Sequence, residues 1–310
     1  MQRFRFAHLS DPHLPLEPDR LRGRGLLSKQ LLSYLSWRRK RRHHHRPDVL
    51  AALVADIHAH APDHVAVTGD IANISLPGEF TRGREWLESV GLPGQVSYIP
   101  GNHDAMVTVP FGQGLGLWRD YMEGDVVAAP GSSLPDGLFP YVRRRGPVAF
   151  IGLNSGLPTL PLLATGRLGT AQVEALGDIL SDLGRQGLFR VVMVHHPVAD
   201  GVVKPRKGLT DRARLRAVLA RHGAEMLLHG HAHRASLSTI AGPSGIIPCL
   251  TVPSASCGGL GKDEAAKWNL VTVMREADGW RVQVDIRGYD RREGIIPTGG
   301  YTLLVPFPTV

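Results

Sequence analysis

Phe6-Ala7-His8-Leu9-Ser10-Asp11-Pro12-His13 is the stretch that decides the fold. A short apolar run breaks off into two metal-binding residue types separated by a proline. The same arrangement recurs four times. Val65-Ala66-Val67-Thr68 leads into Gly69-Asp70, and Val96-Ser97-Tyr98-Ile99-Pro100 into Gly101-Asn102-His103-Asp104. Val191-Val192-Met193-Val194 leads into His195-His196, and Glu225-Met226-Leu227-Leu228-His229 into Gly230-His231-Ala232-His233. Short apolar runs bounded by Gly or Pro read as buried strands. Polar residues at successive strand exits of an α/β chain gather on one edge, where such folds bind ligands. Five distant segments thus deliver Asp, Asn and His side chains to one place.

These residue types suit metal ions. Imidazole offers a nitrogen, Asp a charged oxygen, and Asn a neutral oxygen. A nitrogen/oxygen set without thiolate suits Mn, Fe, Zn, Co or Ni rather than a structural cysteine site. Seven such ligands are too many for one ion and suit two ions that share a carboxylate.

Taken in order, D-x-H (Asp11, His13), G-D (Asp70), G-N-H-D (Asn102, His103, Asp104), V-x-x-H (Val192 to His195) and G-H-x-H (His231, His233) resemble the calcineurin-like metallophosphoesterases. The resemblance runs from Asp11 to His233. It implies that Asp11, His13 and His233 hold a first ion, that Asn102, His195 and His231 hold a second, and that Asp70 bridges the two. It places His103 beside the phosphate, off the metals, with Asp104 hydrogen-bonded to it. The V-x-x-H spacing selects His195 over His196, since adjacent strand residues face opposite ways. Asn73 stands where some relatives carry a tyrosine ligand, which disfavours a ferric, purple-acid-phosphatase-like site. Asn154 and Arg234 are candidate substrate contacts.

The implied chemistry is hydrolysis of a P–O bond. Two cations about 3.5–4 Å apart lower the pKa of a bound water, so hydroxide is present at neutral pH, and offset charge developing on phosphorus. His103 would stabilise that charge or protonate the leaving oxygen. The cofactors expected are two divalent ions, Mn, Fe or Zn. The His195-His196-Pro197 and Gly101-to-Asp104 forms look closer to class III cyclic nucleotide phosphodiesterases. A lipid-linked pyrophosphatase of the nucleotide-diacylglucosamine type is the alternative. A scaffold that kept the fold and lost its metals would show missing ligands, and none is missing. A Ser-His-Asp hydrolase lacks its G-x-S-x-G.

Composition narrows the setting. The chain has 310 residues, and its 43% hydrophobic content is ample for a core. No run of 18 apolar residues offers a spanning helix. Met1-Gln2-Arg3 leads straight into the first strand, which argues against a cleaved leader. Cys249 and Cys257 form no C-x-x-C and read as reduced thiols, so a cytoplasmic location is expected. Ten Lys or Arg and no acid lie between Arg20 and Arg46, and removing them leaves 26 basic against 28 acidic residues. The net charge of +8 therefore belongs to an insert, and no nucleic-acid face is expected.

That insert, 20–46, reads two ways. Leu27, Leu31, Tyr34 and Leu35 share one helical face, and Trp37 and Arg38-Arg39-Lys40-Arg41-Arg42 follow. This combination resembles a helix at an anionic membrane surface, at the inner face of the membrane. The other reading is a lid packed on the domain. His43-His44-His45 read as incidental surface histidines. Helices are expected over 48–60, 78–90, 170–183 and 211–222, with a hairpin at 141–153 and antiparallel strands from 236 to 286. Together these predict an α/β, four-layer αββα sandwich, two facing mixed sheets flanked by helices. One domain, 1–293, is expected, followed by a C-terminal tail, 294–310.

Overall fold

Residues 191–193 show how the layers form. Val191 and Met193 point into one apolar cluster and Val192 into another, on opposite faces of a single strand. Phe150 and Ala149, or Leu228 and Leu227, divide in the same way. Strands apolar on both faces must be covered on both. The computed structural model describes residues 3–16, 29–125, 137–259 and 264–307, and in it these strands are sandwiched.

The first sheet contains β1 (Arg3–Leu9), β2 (His64–Val67), β3 (Val96–Tyr98), β10 (Lys267–Arg275), β11 (Gly279–Asp290) and β12 (Gly294–Pro306), in the order β12-β11-β10-β1-β2-β3. The second contains β4 (Tyr141–Arg145), β5 (Val148–Gly152), β6 (Phe189–Met193), β7 (Met226–His229), β8 (Ser236–Gly242) and β9 (Gly245–Thr251), in the order β4-β5-β6-β7-β9-β8. In the first sheet the parallel run β1-β2-β3 reaches one edge and β10, β11 and β12 follow antiparallel on the other side; in the second the parallel run β5-β6-β7-β9 lies between antiparallel β4 and β8. The sheets face each other through aromatic rings: Phe6 meets Phe150 edge-on at 5.2 Å between ring centres.

Five helices of eight residues or more are described: α1 (Lys29–Ser36), α2 (Pro47–His60), α3 (Pro77–Val90), α4 (Thr170–Arg185) and α5 (Arg212–His222). α2 buries Val49, Leu50, Leu53, Val54 and Ile57, starts on Pro47 and stops at Ala61 in the left-handed region. α4 and α5 cover the outer face of the second sheet with Leu176, Leu180, Leu215 and Leu219. The arrangement is the expected sandwich of two mixed sheets with helices outside. Among the described residues no helix is long and apolar enough to cross a membrane.

Two expectations are corrected here. Residues 294–306 are no tail: they pair with β11 from Asp290–Gly294 to Gly279–Pro306. Pro297 and Pro306 are tolerated because β12 is an edge strand. Within the insert, Trp37 is buried against Leu16, Ile74 and Met106, so it does not project to an interface. Leu27 and Arg20 lie outside the described residues.

Candidate metal centre

The strand exits carry an unusual backbone. Asp11, His13, Asp70, His231 and His233 all have positive φ, between 43° and 65°. Non-glycine residues rarely adopt this conformation, and it turns each chain sharply as it leaves its strand. The turns are interlocked. Asp11 and His13 donate their backbone N–H groups to the carbonyls of Gly69 and Asp70. Close packing fixes the glycines: a Cβ on Gly101 would lie 2.2 Å from Asp70 Oδ1, and one on Gly230 would lie 1.9 Å from Ser10 Oγ.

Six of the seven expected ligands lie together. His195 Nε2 lies 3.3 Å and His13 Nε2 4.0 Å from Asp70 Oδ2. His233 Nε2 lies 3.0 Å from Asp11 Oδ1 and 3.3 Å from His13 Nε2. Asn102, the seventh, is buried and lines the cleft with His103. Each carboxylate has one oxygen pinned by a backbone N–H: Asp70 Oδ1 accepts from His103 and Asp11 Oδ2 from His231. The partner oxygens, Asp70 Oδ2 and Asp11 Oδ1, are buried without a hydrogen bond, as are Asn102 Oδ1 and His195 Nε2. Such atoms are costly in a protein interior, and buried lone-pair donors left without a hydrogen bond fit cations. Three sets of donors lie within 4.8 Å of one another: His13-Asp70-His103, Asp70-His195-His231 and His13-His45-His233.

Carbonyl groups orient the rings. His13 Nδ1 faces Ala72 O, His195 Nδ1 faces Thr68 O at 2.6 Å, and His231 Nε2 faces Lys207 O at 2.9 Å. A carbonyl only accepts, so the facing nitrogen carries the proton and the other keeps its lone pair. Charge is shared accordingly. Burial disfavours ionisation of Asp70, yet His195 and His103 hold its carboxyl well below the usual range. Burial opposes a charged His195, but the Asp70 carboxylate raises it to about 9. His13 and His231 are pushed well down by burial and by neighbouring imidazoles.

Asp104 does not touch the His103 ring as expected. It accepts from the backbone of Asp70, Ala72 and Gly101 and from Tyr98 OH, and so holds the two loops together. Burial and the Asp70 charge push it up to about 7. His103 Nδ1 instead meets Asn73 O at 2.5 Å. Asn73 sits in a loop fixed by buried Glu79, which accepts backbone N–H groups from Asn73, Ile74 and Leu76. Its own side chain turns to Leu14 O, away from the ligands. His196 packs on the His231 ring at 4.5 Å between ring centres, with its Nδ1 against Ser155 Oγ. Asn154 caps Gly156 N, and Arg234 binds Val202 O.

Sequence reasoning missed His45. Its ring lies 4.6 Å from that of His13 and 6.0 Å from that of His233. The triple-histidine run was the available signal. It does not reveal that residue 45 pairs with Cys257 and turns inward while His43 stays exposed.

A family model described as calcineurin-like phosphoesterase matches residues 4–235. The chain belongs to that family. It is a metallophosphoesterase, a hydrolase of phosphoric esters. This phosphoesterase is 27% identical over 240 residues to a probable cyclic nucleotide phosphodiesterase from Synechococcus, covering 76% of this chain and 80% of that one. A dimetal phosphatase from Danio rerio shares the fold at TM-score 0.56 and 16% identity, with 97% of this chain and 99% of that one aligned. A purple acid phosphatase from yellow lupin seeds does so at TM-score 0.59 and 13% identity, over 98% of this chain and 54% of that one.

Proposed function

We propose that the protein is a dinuclear, divalent-metal phosphodiesterase. One observation carries this: a single buried carboxylate oxygen, Asp70 Oδ2, is common to two sets of imidazoles. Asp70 would bridge the ions, with Asp11, His13 and His233 on one side and Asn102, His195 and His231 on the other. Two divalent cations, Mn, Fe or Zn, would supply an ionised water at neutral pH and offset charge on phosphorus. The chain does the rest by orientation. The carbonyls of Ala72, Thr68 and Lys207 accept hydrogen bonds from the ring N–H groups and aim the lone pairs inward. His103, steadied by Asn73 O, stands by to donate a hydrogen bond to a phosphoryl oxygen or a proton to the leaving oxygen.

Substrate would enter through a cleft of about 330 Å³ that reaches Asn102 and His103 and carries Lys29, Arg206 and Lys207. A larger cavity, about 650 Å³ around Gly166 and Asp211, is lined by none of the ligands, so chemistry and not size selects the cleft. The likeness to the Synechococcus protein supports a cyclic nucleotide or another soluble diester. The cleft itself favours a second reading, because Leu32 and Leu162 on its walls are 54% and 84% exposed. Cations beside exposed leucines suit a phosphate or pyrophosphate carrying an acyl chain.

Asp70→Ala tests the centre. It should lose both ions and nearly all activity towards bis-p-nitrophenyl phosphate. Elemental analysis finding two ions per chain in that variant would remove the bridging role. Turnover of cyclic nucleotides against lipid-linked pyrophosphates by the intact protein separates the two substrates.

A further inference from the structure

The segment 29–46 adds an imidazole to the centre that no part of the motif pattern contains. A ring nitrogen of His45 lies within 4.8 Å of ligand atoms of both His13 and His233. Its position is built, not incidental. His45 Nδ1 meets Ser256 Oγ at 2.9 Å and Ser254 Oγ at 3.2 Å. Ser254 Oγ also donates to Asp11 O at 2.6 Å, so one loop braces His45 and the Asp11 turn together. The backbone is fastened on both sides: Arg46 N donates to Ser256 O and Gly258 N to His44 O. Upstream, α1 forms a wall of the cleft through Lys29, Leu32 and Ser33.

We propose that His45 is an additional ligand of the ion on the Asp11-His13-His233 side, so that metal binding clamps segment 29–46 onto the cleft. The proposal rests on the dinuclear reading. Three imidazoles converging with Asp11 match a nitrogen-rich site for Mn, Fe or Zn. Two serine hydroxyls at Nδ1 orient the ring as outer-shell partners do. The consequence is mechanical. The wall of the cleft would be held by the same ion that serves the chemistry, and losing that ion would release the wall.

The test titrates the metal-free full-length protein with Mn²⁺ by calorimetry, for the wild type, His45→Ala and His43→Ala. The wild type should bind two ions. His45→Ala should bind one of them about 10–100-fold more weakly, the range seen when even outer-shell partners are lost. His43→Ala, at an exposed neighbour, should match the wild type. Trypsin provides a second readout, because Arg38, Arg39 and Arg42 offer cleavage sites in the segment. Mn²⁺ should slow cleavage there in the wild type and not in His45→Ala. Equal melting temperatures of the two proteins in chelator establish that the variant folds; if it does not, His45→Gln replaces it in both assays. Two ions bound with wild-type affinity by the variant, with the same protection from trypsin, overturn the proposal and leave the dinuclear reading intact. Fewer than two ions in the wild type overturn that reading instead.

Discussion

Left-handed turns at Asp11, His13, Asp70, His231 and His233 place the reactive groups at a cost of about 1–3 kcal/mol per residue. The interlocked backbone bonds around Gly69 and Asp70 keep them there. Tolerance for substitution at the glycines should therefore be low. Gly101→Ala drives a methyl to 2.2 Å from Asp70 Oδ1, too close for any contact, and the carboxylate must swing off His103 N. We expect the variant to fold and bind metal at least tenfold more weakly; Mn²⁺ affinity equal to wild type would show that Asp70 has slack. His103 makes the opposite prediction. Anchored to Asn73 O, it is assigned to the phosphate, so His103→Ala should keep its metal while kcat falls by roughly 10²–10⁴. Metal loss in that variant would move His103 into the ligand set, which its closeness to His13 and Asp70 permits. The motif residues were legible because metal chemistry restricts residue type at fixed spacing. Their supports were not. Nothing in Gly-Asn-His-Asp says that Asp104 ties Gly101 to Asp70 while a carbonyl 30 residues away steadies His103.

Helices and strands were legible where one period dominates. α2 and α4 repeat apolar residues at helical spacing, and β5 to β7 are short apolar runs with abrupt ends. β12 was hidden because Gly299-Gly300 and two prolines break the alternation, and only its pairing with β11 makes it a strand. The inward turn of Trp37 was equally hidden, since its partners Leu16, Ile74 and Met106 come from separate loops. Another long-range feature, Arg190 with Glu225, joins the starts of β6 and β7. The guanidinium meets Glu225 Oε1 at 2.6 Å and Oε2 at 2.9 Å, and it also caps Leu180 O and His222 O in α4 and α5. Both side chains are almost fully buried. Removing one partner of such a pair strands a charge, so Glu225→Gln should lose about 3–5 kcal/mol in urea unfolding. A loss below 1 kcal/mol would mean that water reaches Arg190.

At the scale of the whole molecule, segment 29–46 combines exposed charge with exposed apolar side chains. The insert holds ten of the 36 basic residues, and the remainder of the chain is close to neutral. Arg38, Arg39 and Arg42 are exposed, and α1 between them and the cleft leaves Leu32 and Leu35 54% and 39% exposed. Across the cleft Leu160 and Leu162 stand out further, at 73% and 84%. Trp37 and Tyr34 meanwhile pack inward, so the segment is fastened to the domain and offers only its outer face. Lid and membrane surface, the two readings of the insert, then become two faces of one element. The inner face lines the cleft through Lys29, Leu32 and Ser33. The prediction for the outer face, basic with a leucine rim, is that it binds an anionic bilayer. Each basic residue near such a surface contributes about 1 kcal/mol, so changing Arg38, Arg39 and Arg42 to Gln should weaken binding by about 100-fold. Co-sedimentation with phosphatidylserine-containing vesicles at low salt measures this directly. Binding should also fall steeply as salt rises, because exposed charges are screened within about 10 Å at 0.1 M. Soluble diester turnover by the triple variant should stay unchanged, since none of the three arginines lines the cleft. Wild-type protein that ignores the vesicles at low salt would confine the insert to its inner face, and with it the substrate to a soluble diester.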